Sequence, residues 1–363
     1  MAKTPKYYSI DNILKRESEY NIILGQRSNG KSYAVKNHCI KKAWDDSKSR
    51  FIVLRRLAEE IRPSVVEHYF SDVPIGIISG GECDNIKVYR SEIWACKFDE
   101  QGDKNKKVRL LGYVRALIKA AQYKSGDYTD CTDIIYEEFI AETGARYLPN
   151  EPNELQSFVS TVARLHKISV WLVGNTISRI CPYFTEWGLV NIPRQKQGTI
   201  DTYEVETQQL DENNEPLKIH ISVENAESST TTGKMFFGSA AKMIDNGAWH
   251  TSKQYPGLPR PYADYTKVYT VVMFGFGFTF LMELLQYKNS YVWFVTPKTT
   301  AIQPGTRTVS NTFSVDLLHT NGFVALNEGE RRAFNLLLQN KIAYSDSLTA
   351  EDFLSVRKNL LNE

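Results

Sequence analysis

Nowhere in these 363 residues do two cysteines stand at the spacing of a metal knuckle or a redox motif. The five present, Cys39, Cys83, Cys96, Cys131 and Cys181, are odd in number and far apart. That excludes a Cys-x-x-Cys zinc site, argues against a disulfide framework, and fits reduced thiols in a cytoplasm. Long apolar runs are missing as well. The longest stretch without a charge lies between Lys267 and Glu283, short of the ~20 residues a membrane helix needs. Its phenylalanines, Phe274, Phe276, Phe278 and Phe280, fall on every second position and read as a buried strand. Nor is there an excess of one charge. The formal net charge is +2, so any contact with a polyanion must come from local patches. No repeat appears at solenoid spacing, and the mixed, polar opening from Lys3 to Asn12 lacks a secretory pattern. The expectation is a soluble protein with no membrane partner. At about 150 residues per domain, the length suggests two or three domains.

The first half alternates β-branched runs with helical segments. Strands are expected at 20–24 and 50–55, with a helix from about Lys31 to Ala43 between them. "IKVYRSEIWACKFDEQGDKNKKVRLLGYV" reads as two strands around a lysine-rich turn, and "TDIIYEEF" (132–139) as an apolar strand ending in acids. A helix from about Glu154 to Lys167 then leads to the strand "SVWLVGN" (169–175). Strands separated by helical crossovers predict an α/β fold with a mostly parallel sheet. The expected divisions are a first domain over 1–195, a hairpin and linker region over 196–264, and a smaller β-rich α+β domain over 265–363.

Between the first strand and its helix stands Gly25-Gln26-Arg27-Ser28-Asn29-Gly30-Lys31-Ser32, a full match to GxxxxGK[ST] in the required strand–loop–helix setting. Glycines let backbone N–H groups curl around a phosphate, and the helix N-terminus adds a positive dipole. Lys31 would reach the β- and γ-phosphates of ATP, and the Ser32 hydroxyl would ligate Mg²⁺. The bland alternative is a Gly-Ser surface turn. An acid is also needed at the end of a neighbouring strand, and Glu137 and Glu138 follow the apolar Ile134-Ile135-Tyr136. Successive strand residues face opposite ways, so Glu137 is assigned to the metal and Glu138 to the attacking water as general base. An acid–glutamate pair marks nucleotidases that hydrolyse ATP in order to move something. That places the first domain in the additional-strand, catalytic-glutamate class of P-loop ATPases.

These residues, with "FIVLRR", "IIYEEF" and "VWLVGNT" in order across 1–195, resemble the DNA-encapsidation ATPases of small podoviruses, packaging motors related to phage terminase large subunits. The resemblance implies a homo-oligomeric ring, in the host cytoplasm and transiently at the portal vertex of a procapsid, that pumps double-stranded DNA into the shell. It leaves open a structural RNA as a further partner. It also implies an arginine reaching into a neighbour's site. Arg164, on the expected helix, matches that trans-acting arginine, with a helix-surface arginine as the alternative and Arg27 as a competitor in cis. Asn175, in "GNT", matches the γ-phosphate sensor of the coupling motif, with Thr176 beside it. Arg55 and Arg56 match basic residues near the subunit interface.

A packaging track needs cations that meet phosphates without reading bases. Lys104, Lys106 and Lys107 on the lysine-rich turn are the first candidates, followed by Arg115, Lys119 and Lys124. The resemblance further implies an RNase-H-like nuclease ancestry for the C-terminal domain. Neither "VYTVVMFGFGFTFLM" (268–282) nor "SYVWFVT" (290–296) holds an acid, so the two-metal carboxylates of an active nuclease are missing. Lys298, Arg307, Arg331 and Arg332 would then serve binding. A helicase and a nucleotide-dependent assembly protein remain the alternative readings.

Overall fold

Two strands near the start of the chain are covered on both faces. β1 (Tyr20–Gly25) is buried throughout and β2 (Arg50–Arg55) along its centre, the mark of strands inside a parallel sheet. A computed structural model of the chain describes residues 7–26, 29–99, 105–141, 147–164, 166–175, 181–189, 191–192, 195–210, 214–227, 254–275, 277–303, 305–310, 318–320 and 327–361. The chain forms two compact units; the described residues 7–175 and 191–227 belong to the first.

That unit contains α1 (Asp11–Leu14), α2 (Lys31–Asp45), α3 (Pro63–Tyr69), α4 (Ile75–Ile78) and α5 (Glu151–Val162). Its further strands are β3 (Asn85–Tyr89), β4 (Glu92–Phe98), β5 (Asn105–Ala116), β6 (Cys131–Glu137), β7 (Ser169–Asn175), β8 (Thr199–Leu210) and β9 (Pro216–Asn225). They form one nine-stranded sheet in the order β3-β4-β5-β2-β6-β7-β1-β9-β8. From β5 to β9 all neighbours run parallel, and antiparallel hairpins close both edges. The α/β expectation thus stands. On the α2 side the core joins Ile23, Val53, Ile135 and Val173 of the sheet to Val35, Cys39 and Ile40 of the helix, with Val66 and Phe70 from the α3 region.

Four expectations change. The 85–116 segment holds three strands, because Arg90 and Ser91 turn the chain with φ of 48° and 67°. A two-residue hairpin needs this left-handed geometry, usually supplied by Asn or Gly. Within the expected hairpin and linker region, the hairpin is β8 and β9, and it completes the first sheet, with β9 parallel to β1 from Tyr20↔Ile221 to Leu24↔Asn225; residues 228–253 lie outside the described residues. α5 begins at Glu151, with a proline in its first turn, a position where the missing N–H costs nothing. It ends at Val162, so Arg164 lies in the turn beyond it. Lastly, the phenylalanine run is not one strand but a hairpin in the second unit, where Gly277 takes φ 77° and Gly275 pairs with Phe278.

The described residues 181–189 and 254–361 belong to the second unit. Its strands are β10 (Thr266–Gly275), β11 (Phe278–Tyr287), β12 (Ser290–Pro297), β13 (Arg307–Val309), β14 (Leu318–Thr320) and β15 (Ile342–Tyr344). Its helices are α6 (Pro182–Glu186), α7 (Glu328–Leu338) and α8 (Ser347–Leu361). The strand order is β14-β13-β10-β11-β12-β15. An antiparallel meander, β10-β11-β12, is flanked by strands that run parallel to their neighbours. Phe334 and Leu337 of α7 and Phe353 and Val356 of α8 pack with Met282, Trp293 and Val295 in its core. No helix among the described residues is long and apolar enough to cross a membrane, and all five cysteines are buried and outside any disulfide.

Candidate active site

β1 delivers the chain to a close turn. A Cβ on Gly25 would come within 2.9 Å of Asn29 Nδ2 and 3.3 Å of the Ala226 side chain, so only glycine fits. Gly30, with φ 93°, is the N-cap from which Lys31 opens α2. The Lys31 ammonium folds back into the loop, donating to the carbonyls of Gln26 (2.5 Å) and Gly25 (3.1 Å) and to Asn29 Oδ1 (3.1 Å). Burial depresses its pKa to about 8, against the opposing pull of Glu137. Both ends of the Gln26 amide and the Asn29 Nδ2 are buried without a hydrogen-bond partner. Unpaired buried polar groups call for an explanation, and a bound anion would accept from the two NH₂ groups. Arg27 and Ser28 lie outside the described residues.

β6 brings the acids to the same end of the sheet. Glu137 is 5 % exposed; its Oε2 accepts from Ser32 Oγ at 3.1 Å and its Oε1 from Tyr69 Oη at 2.7 Å. Burial raises its pKa, and those two hydrogen bonds and the nearby Arg55 and Lys36 oppose the rise. Glu138 leaves the strand with φ 54°, and Arg55 Nη2 holds its carboxylate at 2.7 Å while also donating to Glu60 at 3.2 Å. β7, inserted between β6 and β1, ends at Asn175, whose Oδ1 is 3.4 Å from Lys31 Nζ. A Cβ on the preceding Gly174 would meet Phe139 at 2.8 Å, so the strand end can pass under the acid loop only without a side chain. A cavity of ≈ 580 Å³ is lined by Asn29, Lys31, Ser32, Glu137, Glu138 and Asn175, with Tyr7 and Tyr33 at its exposed wall. Thr176 lies outside the described residues.

Other candidates fall elsewhere. Arg56 is a buried strut: its Nε and Nη2 form a two-pronged pair with Glu151 at 2.8 and 3.0 Å, and Nη2 also donates to Phe139 O at 2.6 Å. Arg164 is exposed before β7, at the end of the strand away from Asn175, and donates to Lys124 O at 3.1 Å. Lys106 and Lys107 are exposed on β5, with the Lys107 ammonium over Tyr89 and Trp94; Lys104 lies outside the described residues. Arg115 is enclosed by Tyr113, Tyr123 and Tyr128, which removes it as a free phosphate contact. In the second unit, Arg307 pairs with Glu330 at 3.5 Å and Arg332 with Glu328. Tyr69 and Glu151 were missed by sequence reasoning. A tyrosine in a short amphipathic helix reads as core, whereas the Glu151-Pro152 helix start gave a usable signal for a helix beginning there.

Fold and site together define a parallel α/β protein in which a glycine loop, a helix-opening lysine and a strand-end carboxylate face one cavity. The chain belongs to the podovirus DNA encapsidation protein (Gp16) family, whose model matches residues 1–235. It is 30% identical over 172 residues to the DNA packaging protein of Bacillus phage B103, covering 47% of this chain and 48% of that one. Identity to the DNA packaging protein of Bacillus phage phi29 is 27% over 186 residues, 51% of each chain. The chain spans about half the length of the curated relatives it matches. Among solved structures, one chain of the bacteriophage Phi-29 viral genome packaging motor assembly shares the fold with a TM-score of 0.59 at 18% identity. That likeness covers 98% of this chain and 99% of the other. A second, the Phi-28 gp11 DNA packaging motor, reaches a TM-score of 0.50 at 16% identity over 98% of both chains.

Proposed function

We propose that the chain is the ATPase of a genome-packaging motor, driving double-stranded DNA into a preformed procapsid as a homo-oligomeric ring at the portal vertex, in the host cytoplasm. The observation that carries this reading is the convergence of Lys31, Ser32, Glu137 and Asn175, from three separate segments, on one cavity. Sequence similarity to the DNA packaging proteins of two Bacillus phages supports it. ATP is the substrate. The loop from Gly25 to Ser32, including Arg27 and Ser28, forms a P-loop whose backbone N–H groups cradle its phosphates. Lys31 exchanges its loop carbonyls for phosphate oxygens.

The donor set beside it is all oxygen and partly buried: the Ser32 hydroxyl and the Glu137 carboxylate, 3.1 Å apart. Hard oxygen donors suit Mg²⁺, which when bound neutralises charge on the phosphates. Glu138 is the general base for the attacking water, and it must first leave Arg55. Asn175, with Thr176, senses the γ-phosphate through the contact with Lys31. Arg164 acts in trans, since it lies away from the site of its own chain. Lys104, Lys106, Lys107 and Lys124 contact the duplex backbone. In the second unit the order β12-β11-β10-β13-β14, an antiparallel meander followed by parallel strands, supports RNase-H-like ancestry. A structural RNA is one partner its basic residues would accept.

Hydrolysis measured with closed-circular duplex, with single strands and without DNA tests the reading. Duplex without ends should stimulate turnover, Lys31→Ala should abolish nucleotide binding, and Glu138→Gln should lower turnover by ~10²–10⁴ while ATP still binds. Stimulation by single strands alone would favour a helicase and overturn the packaging assignment.

A further inference from the structure

α3 touches the proposed metal site at its last residue and the outer edge of the sheet two residues earlier. Tyr69 and Ser32 each donate to a different oxygen of Glu137, at 2.7 and 3.1 Å. The carboxylate is therefore held in position by two elements, α3 and α2. Tyr69 is itself fixed. The Lys36 ammonium lies 4.4 Å from its ring centroid and donates to its carbonyl at 2.5 Å and to Asp72 Oδ1 at 2.6 Å. Lys36 sits one helical turn beyond Ser32 on α2, on the same face. Among the described residues, then, α2 and α3 are tied directly behind the acid.

Two residues before Tyr69, Glu67 reaches the other way. Its Oε1 accepts from the backbone N–H of Val88 at 3.1 Å and its Oε2 from Lys87 Nζ at 3.0 Å. β3 is the outermost strand of the sheet, and Glu67 occupies an N–H group that an edge strand leaves open. β3 pairs with β4 and β4 with β5, so the ribbon that carries Lys106 and Lys107, already joined to β6 through β2 within the sheet, has a second link to Glu137 through one short helix.

We infer that Tyr69 is a positioning residue for the metal-holding carboxylate, and that α3 is a relay through which the β3–β5 ribbon sets that position. This rests on the reading of Glu137 as a metal ligand. Groups that orient a ligating carboxylate typically change metal affinity by about 10–100-fold when removed. The relay predicts that Glu67, which touches neither metal nor nucleotide, acts on the same quantity through Tyr69.

The test uses the full chain and a fluorescent non-hydrolysable ATP analogue, bound first in EDTA and then across a Mg²⁺ titration. Tyr69→Phe keeps the ring beneath Lys36 and removes only the hydroxyl. It should leave binding in EDTA within twofold of the parent and raise the Mg²⁺ requirement about tenfold. Glu67→Gln should shift the requirement in the same direction by a smaller factor, and the double variant should go no further than Tyr69→Phe alone. An unshifted requirement in either single variant, fully additive shifts, or equal losses with and without Mg²⁺ would overturn the relay. Glu137→Gln separates the two ideas. If it raises the requirement while Tyr69→Phe does not, the relay alone falls; if it has no effect, the metal-site reading falls too.

Discussion

Lys31 is an ammonium held out of water by three oxygens of its own loop, and its pKa of about 8 follows from that burial. A triphosphate in contact would favour the charged form and raise the value again. Nucleotide binding should therefore take up a proton above pH ~8, and affinity should fall by up to about tenfold per pH unit there. Calorimetry in buffers of different ionisation enthalpy at pH 9 measures this directly; binding without proton uptake would show that Lys31 does not meet the phosphates. The same shift has a sign for the empty protein. The unfolded lysine keeps its ordinary value of 10.5, so between pH ~8 and ~10.5 the unfolded chain binds more protons and this group's contribution to stability rises with pH. Lys31, Ser32 and the two acids were legible in the sequence because their chemistry is carried by contiguous residues. Tyr69 was not, and Arg55 was named without its hold on Glu138, since what gives each its meaning is a partner 68 or 83 positions away.

α5 shows what one buried pair does for an element. Glu151 accepts from Arg56, from Tyr136 Oη at 2.7 Å and from Leu148 N at 2.7 Å, and is fully buried. Arg56 in turn holds the carbonyls of Glu138 and Phe139, at 3.3 and 2.6 Å, so the loop that carries the proposed base hangs on this pair. Glu151→Leu should cost about 3–5 kcal/mol, read as a lower denaturant midpoint, because it strands a buried guanidinium. Adding Arg56→Met should recover part of the loss; a double variant no more stable than the single one would show that the pair is not the strut. Elements with buried, uniform patterns were readable: β1 and β2 lie within a residue of their expected bounds. The β3–β4 turn was not, because Arg90 and Ser91 carry no turn signature, and the phenylalanine period of two ran unbroken through a hairpin.

Across the assembled molecule, the testable point is the division of one site between copies. If Arg164 serves a neighbour, mixing Arg164→Ala chains with Lys31→Ala chains should restore part of the hydrolysis that each lacks alone, at interfaces pairing an intact loop with an intact arginine. No recovery in rings that still assemble would remove Arg164 from the mechanism. Nothing local in the chain signals that β9 stands beside β1, since strand pairing across 201 positions leaves no local trace. That neighbour has a consequence for how the protein is made. Leu24 O bonds Ala226 N at 2.8 Å, and the Ala226 methyl packs against Gly25. Until the ribosome has released residue 226, the strand feeding the Gly25–Ser32 loop has a bare flank open to pairing with other nascent chains. Translation stalled before β9 should thus yield aggregating fragments, and the loop that follows β1 would reach its final surroundings only late in synthesis.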